Sequence, residues 1–144
     1  MTRALALVAA AALIAACGPN PKAFETRGWT DHYAFRISVN PTPPIAEHNN
    51  YYRIVVQDKK TGQPIEDGEG RIFATNKEGA RASDGFRKEK ELGTYSARVP
   101  FPVGGDWPIA IQFRRGHDPR TPMERIDWIQ GVRVDTAFGP DSGK

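Results

Sequence analysis

The stretch Tyr33-Ala-Phe-Arg-Ile-Ser-Val39 decides the fold class, because its apolar and polar residues alternate strictly. A period of two places successive side chains on opposite faces of a β-strand. Tyr33, Phe35, Ile37 and Val39 therefore share one face, and the residues between them share the other. The pattern predicts a strand with one buried face.

The same alternation recurs further along the chain. The predicted inward-facing sets are Tyr52, Ile54 and Val56; Tyr95, Ala97 and Val99; Trp107, Ile109, Ile111 and Phe113; and Ile126, Trp128, Val132 and Val134. Shorter or weaker strands are predicted at 72–75 and 86–92. Clusters of Gly, Pro, Asp and Asn separate these runs, and no long amphipathic helix is evident. Short strands at this spacing predict an all-β fold, an immunoglobulin-like β-sandwich of about seven strands.

The N-terminal segment has the features of an export signal. Arg3 precedes an apolar run over 4–16, which is too short to span a bilayer, and the single cysteine, Cys17, follows it directly. Leu13-Ile-Ala-Ala-Cys17 resembles the lipobox of bacterial lipoproteins, in which the cysteine is acylated and becomes the first mature residue. The resemblance implies that Cys17 is the lipidation site. An ordinary cleaved signal peptide and a buried apolar helix remain as alternatives.

Composition then divides the chain into four segments. We predict a lipoprotein signal peptide at 1–16, a lipidated tether rich in Pro and Gly at 17–31, one β-sandwich domain at 32–138, and a disordered tail at 139–144. The chain has 20 basic and 17 acidic residues. This near balance favours neither a nucleic acid nor an anionic membrane surface as partner. A lipid on Cys17 would leave no thiol for a disulfide or a metal.

Five further segments together resemble the YtkA-like and FixH-like family of exported sandwich domains. They are Ile54–Asp58, Thr61–Ile65, Gly70–Ala74, Leu92–Ala97 and Phe101–Ala110, and they cover about half of the predicted domain. The resemblance implies an immunoglobulin-like fold and a role in copper handling or terminal-oxidase assembly. Many members carry a methionine-rich stretch where this chain has 76–84, which contains no Met, Cys or His. The resemblance therefore supports the fold more than the copper chemistry.

Few residues of the predicted domain could bind a soft metal. The weak candidates are His32, His48, His117 and Met123, and no two of them have the local spacing of a metal motif. We interpret the histidines as exposed loop residues. Folding could still gather His117 and Met123, which share one loop, with another histidine. We expect no metal and no cofactor.

Catalytic residues are not predicted either. Ser38 and Ser96 lie on outward strand faces, and the sequence has no Gly-x-Ser-x-Gly elbow. Three arginines of one loop, Arg114, Arg115 and Arg120, predict a site for an anionic group of a partner, with a solvated surface as the alternative. The charged segment Arg81–Glu91 predicts a solvated hairpin or a charge-protected edge strand.

The sequence as a whole favours a non-enzymatic lipoprotein with an immunoglobulin-like binding or accessory domain. We expect it in the bacterial cell envelope, periplasm-facing or on the outer membrane. Its expected partners are the membrane, through the lipid, and an unidentified envelope protein, with no nucleic acid. The alternative is a periplasmic accessory protein for copper handling or oxidase assembly of the YtkA/FixH type.

Overall fold

The computed structural model describes residues 25–136. The predicted signal peptide, Cys17 and the predicted tail at 139–144 lie outside the described residues. Nine strands form two antiparallel sheets, ordered β1-β2-β3-β7-β6 and β5-β4-β8-β9. The strands are β1 (Thr26–Trp29), β2 (Tyr33–Asn40), β3 (Asn50–Asp58), β4 (Gly68–Thr75), β5 (Arg81–Gly85), β6 (Arg87–Lys88), β7 (Thr94–Val99), β8 (Gly105–Arg115) and β9 (Glu124–Val132).

The core lies between the two sheets, and it contains nearly all of the side chains predicted to face inward. Trp107, Phe113 and Ile54 are completely buried, and the ring of Phe101 lies 5.2 Å from that of Trp107. The ring of Phe113 contacts those of Tyr33 and Tyr95 at 5.1 and 5.5 Å. Within 25–136 the buried hydrophobic residues all lie from Tyr33 to Val132, so this part of the chain forms a core of its own. The predicted all-β sandwich is confirmed.

Four details of the prediction are wrong. The described part has nine strands where about seven were expected. The folded part begins before residue 32, because β1 lies inside the predicted tether and pairs with β2. The weak strand predicted at 86–92 is only the two-residue β6, and a further strand, β5, lies before Phe86. Val134 is 62% exposed, because the sheet ends at Val132.

The charged segment 81–91 forms an edge of both sheets. β5 pairs with β4 in one sheet, and β6 pairs with β7 in the other. The chain crosses between the sheets at Phe86, whose half-buried side chain packs against the core. A segment that crosses from one sheet to the other does not keep one face toward the core, so apolar and polar residues need not alternate along it. This explains the weak strand pattern in the sequence. The predicted edge position is confirmed.

The loop that follows β6 is tightly fixed. Gly93 has a φ of +63°, and a Cβ on it would lie 2.7 Å from Pro64 and 2.8 Å from the Val56 carbonyl oxygen. Glycine is therefore required there. The Val56 N–H donates to the Gly93 carbonyl at 2.8 Å, and the Gly93 N–H donates to Glu66.

No helix within 25–136 is long and apolar enough to cross a membrane.

Candidate functional site

The outer face of the five-stranded sheet carries one arginine from each of its strands. They are Arg27 of β1, Arg36 of β2, Arg53 of β3, Arg98 of β7 and Arg87 of β6. Each arginine either alternates along its strand with inward-facing residues or pairs across the ladder with an outward-facing residue of the neighbouring strand. All five therefore lie on the same outer face. We call this surface the arginine face.

Acidic residues neutralise only part of the arginine face. Arg53 pairs with Glu91, and Arg87 pairs with Asp84 at 2.7 Å between Nη1 and Oδ2. Arg27 lies 3.5 Å from Glu25. Among the described residues, neither Arg36 nor Arg98 forms a side-chain ion pair within 4 Å.

One pair of arginines on this face is unfavourable for stability. Arg27 lies directly opposite Arg36 in the antiparallel register. Like charges in directly opposite positions destabilise a sheet. In addition, Arg36 Nε is buried and has no hydrogen-bond partner among the described residues. Features that break a local rule of stability are most often found where a protein performs its function.

A groove of about 530 Å³ crosses the arginine face. We call it the Tyr51 groove, after the exposed aromatic residue on its wall. It lies over the end of β2, the start of β3 and the first residues of β7, and the β6–β7 loop forms its other side. Its lining residues are Ser38, Val39, Asn40, Tyr51, Tyr52, Arg53, Glu89, Lys90, Glu91, Thr94 and Ser96.

The wall formed by the β6–β7 loop is held in place by polar contacts. Glu91 pairs with Arg53, and Glu89 accepts a hydrogen bond from the Ser96 hydroxyl. The Thr94 N–H donates to the Glu91 carbonyl at 3.2 Å, and the Glu89 N–H donates to the Thr94 carbonyl at 2.9 Å. The hydrogen bond from Arg53 holds the pKa of the Glu91 carboxyl below its usual range. The groove is therefore a built feature of the fold.

Sequence reasoning missed this surface and favoured a different group of arginines. Arg114 pairs with Glu69 and also donates to the Thr121 carbonyl at 3.2 Å. Arg115 pairs with Asp58 at 3.0 Å, and Arg120 pairs with its neighbour Asp118 at 3.0 Å. Each of the three guanidinium groups predicted to bind an anion thus already has a carboxylate partner.

The residues considered for a metal site are not brought together as a cluster. His32 Nδ1 lies 2.9 Å from Glu124, and His48 Nε2 lies 3.1 Å from Asp135. Met123 is 37% exposed. Within 25–136 no group of three His, Cys, Asp or Glu side chains has a geometry that could hold a metal ion.

His117 lies between two carboxylates. Its Nε2 is 2.9 Å from Asp67, and its Nδ1 is 3.1 Å from Glu69, which also pairs with Arg114. The hydrogen bonds to Glu69 and then to Asp67 raise the pKa of the imidazole above its usual value. Protonated His117 therefore links the β3–β4 loop and β4 to the loop after β8.

We expect this link to stabilise the fold until the pH rises through the raised folded-state pKa of His117. Because the folded-state pKa is raised, the contribution is complete below the unfolded pKa of about 6.5, while the carboxylates stay ionised, and it is lost as the pH rises through the folded value. His117→Gln should thus lower the melting temperature at about pH 6 and leave it unchanged at about pH 9. An imidazole NMR titration with a midpoint at or below about 6.5 would contradict this.

On the outer face of the four-stranded sheet, Arg71 and Arg125 already have partners within that sheet. The guanidinium carbons of Arg71 and Arg125 lie 4.8 and 5.1 Å from the centre of the Phe73 ring. Arg71 also donates to Gln112, and Arg125 pairs with Asp127 at 2.7 Å. Because these groups satisfy one another, the arginine face is the better candidate for binding a partner.

Comparison with known proteins supports the fold alone. No family model matches the sequence, and no curated protein matches it. A crystal structure of a DUF4426 family protein from Pseudomonas aeruginosa PAO1 is similar, with a TM-score of 0.56 and 13% identity over 77% of this chain and 96% of that chain. The Lin-41 filamin domain has a TM-score of 0.50 and 13% identity, over 69% of this chain and 91% of that chain. This chain therefore has an immunoglobulin-like fold, while the resemblance to YtkA-like and FixH-like proteins stays a prediction.

Proposed function

We propose that this protein is a non-enzymatic, lipid-anchored protein of the bacterial cell envelope whose immunoglobulin-like domain binds another envelope component. The arginine face carries the proposal, because it concentrates five guanidinium groups on one surface and leaves two of them without an ion pair to a described residue. Arginine binds carboxylate and phosphate groups in a bidentate manner. The partner surface should accordingly be acidic.

The lipobox-like sequence before Cys17 supports the anchor. Acyl chains contribute about 0.8 kcal/mol for each buried methylene, and two or more chains hold a domain on a membrane stably. We expect Cys17→Ser to abolish acylation completely, because only the thiol can accept the lipid. Metabolic labelling with an acyl probe, followed by membrane fractionation, measures this.

The matched control for the anchor is Gly18→Ala, which keeps the thiol. It should be labelled like the wild type. Acyl labelling of the Cys17→Ser variant, or membrane attachment of that variant indistinguishable from wild type after signal cleavage, would contradict the anchor.

The binding role is tested by capture of the partner from native membranes with two sets of three substitutions. Arg27, Arg36 and Arg98 changed together to Gln, a set that includes both guanidinium groups without an ion pair to a described residue, should reduce capture at least about tenfold and weaken its dependence on salt. The comparison set is Arg114, Arg115 and Arg120 changed to Gln, which should retain capture because these side chains already pair with carboxylates.

Melting curves of both triple variants establish that each remains folded. Loss of capture by the second set alone would move the binding surface to the end of β8, where Arg114 and Arg115 lie, and the β8–β9 loop. Binding of copper at micromolar affinity or tighter by the wild type would instead favour the copper-handling alternative.

A further inference from the structure

The Tyr51 groove has balanced charge and many hydrogen-bonding groups. Its charged lining residues are two cations, Arg53 and Lys90, and two anions, Glu89 and Glu91, so neither sign is in excess. A site for a simple anion or cation would require an excess of the opposite sign. Uncharged hydrogen-bonding residues complete the lining, namely Ser38, Asn40, Thr94 and Ser96.

These side chains offer both donors and acceptors. Hydroxyl groups donate one hydrogen bond and accept others, a carboxylate has about four acceptor sites, and a guanidinium has five N–H donors. The Arg53–Glu91 pair, the Ser96–Glu89 bond and the bond from the buried Thr94 hydroxyl to the Leu92 carbonyl use only part of this capacity. The remaining donors and acceptors lie close together on a fixed surface, which suits a ligand with many hydroxyl groups.

Tyr51 adds an apolar surface to this polar lining. Its side chain is 55% exposed and lies at the start of β3, the central strand of the five-stranded sheet. It borders the Tyr51 groove and also a second depression of about 400 Å³, which Arg87, Ser96, Ala97 and Arg98 complete. An aromatic ring offers a flat apolar face together with one polar end. Such a face can pack on the C–H groups of a pyranose ring.

The two depressions adjoin each other, because Tyr51 and Ser96 line both. Their volumes of about 530 and 400 Å³ both fall within the range of small-molecule sites. A ligand with repeating units could occupy both and pass over the Tyr51 ring that lines them.

We propose that the Tyr51 groove binds an oligosaccharide of mainly uncharged pyranose units, with Tyr51 stacking on one sugar ring and the Arg53–Glu91 pair bonding the hydroxyls of another. This ligand class goes beyond the proposed capture of an acidic partner by the arginine face, and it depends neither on that capture nor on the lipid at Cys17.

The test uses residues 18–144, since the part of the chain within 25–136 forms a core of its own. Chitotetraose, cellotetraose and maltotetraose serve as probes in calorimetric titrations and in amide NMR spectra. We expect at least one of them to bind with a dissociation constant of about 1 mM or tighter and to shift the amide signals of Ser38, Tyr51 and Ser96.

Two variants are matched in exposure. Tyr51→Ala should weaken binding of that probe at least about tenfold, because the stacking surface is lost. Trp29→Ala removes an exposed aromatic side chain, 61% exposed, that does not line the groove, and it should bind like the wild type. Tyr51→Phe keeps the ring and should retain most of the affinity, which separates stacking from the hydroxyl.

Three results would overturn the proposal. They are the absence of binding by all three probes at about 10 mM, an equal loss in Tyr51→Ala and Trp29→Ala, and groove shifts caused only by polyglutamate or by anionic phospholipid vesicles. Failure here leaves partner capture by the arginine face intact, and failure of capture leaves saccharide binding measurable, so the two proposals are tested separately.

Discussion

Trp107→Ala is expected to lower the free energy of unfolding by about 3–5 kcal/mol and the melting temperature by at least about 10 °C. The side chain of Trp107 is completely buried near the start of β8. Its ring packs 5.2 Å from that of Phe101, and its Nε1 donates to the Val103 carbonyl at 3.0 Å. Truncation leaves a large cavity and an unpaired carbonyl, and single domains have only about 5–15 kcal/mol of stability.

Trp29→Ala is the matched control for this substitution. Trp29 lies on the edge strand β1 and is 61% exposed, so its removal should change stability by less than about 0.5 kcal/mol. Chemical denaturation of both variants measures the difference. A Trp107→Ala protein that melts within a few degrees of wild type would show that β8 does not face the core in this register.

The inward faces of the long strands could be predicted from the sequence, because burial there follows from alternation alone. Each apolar residue of 33–39 and 107–113 that was predicted to face inward is buried or packed against the core. β1 and β6 lack this signal. β1 is Thr-Arg-Gly-Trp, with its one large apolar side chain exposed, and β6 is Arg87–Lys88. Backbone pairing to β2 and β7 defines both strands, and a single sequence does not show which segments pair.

The same limit explains why the arginine face was missed. Alternation places Arg36 and Arg98 on outward faces, but they lie far apart in sequence. Their common surface appears only when β2, β3 and β7 are placed side by side. Arg114, Arg115 and Arg120 were predicted to form a site because they are close together in sequence. Glu69 and Asp58, the partners of Arg114 and Arg115, lie in strands that are distant in sequence. Proximity along the chain is a poor guide to a site that is built across a sheet.

Asn50 shows a third kind of missed residue, a polar side chain that is structural. In sequence it belongs to a polar pair with Asn49, yet it is completely buried at the start of β3. Its Oδ1 accepts from the Ile45 N–H at 2.8 Å, and its Nδ2 donates to the carbonyls of Ile45, His48 and Val99 at 2.9, 3.1 and 3.1 Å. Since the NH2 group has two protons, two of the three carbonyls share one of them, and the side chain as a whole contacts four backbone groups and fixes the preceding loop to β7.

That loop closes one end of the sandwich. The Ala46 N–H donates to the backbone carbonyl of Arg133 at 2.8 Å, and the Glu47 N–H donates to the backbone carbonyl of Phe101 at 2.8 Å. The loop therefore joins β9 and the segment after β7 to the start of β3. Loss of the Asn50 amide would release several of these contacts together.

We therefore expect Asn50→Ala to cost about 2–4 kcal/mol, because each buried backbone group left without a partner costs about 1–3 kcal/mol and part of that cost is relieved by water entry. Asn49→Ala, at the exposed neighbouring position, should change stability by less than about 0.5 kcal/mol. Hydrogen exchange distinguishes the mechanism, since Asn50→Ala should abolish protection of the Ile45 amide while the amides of β8 keep theirs up to global unfolding. Equal stability of the two alanine variants, or retained protection at Ile45, would show that the Asn50 amide does not hold the loop.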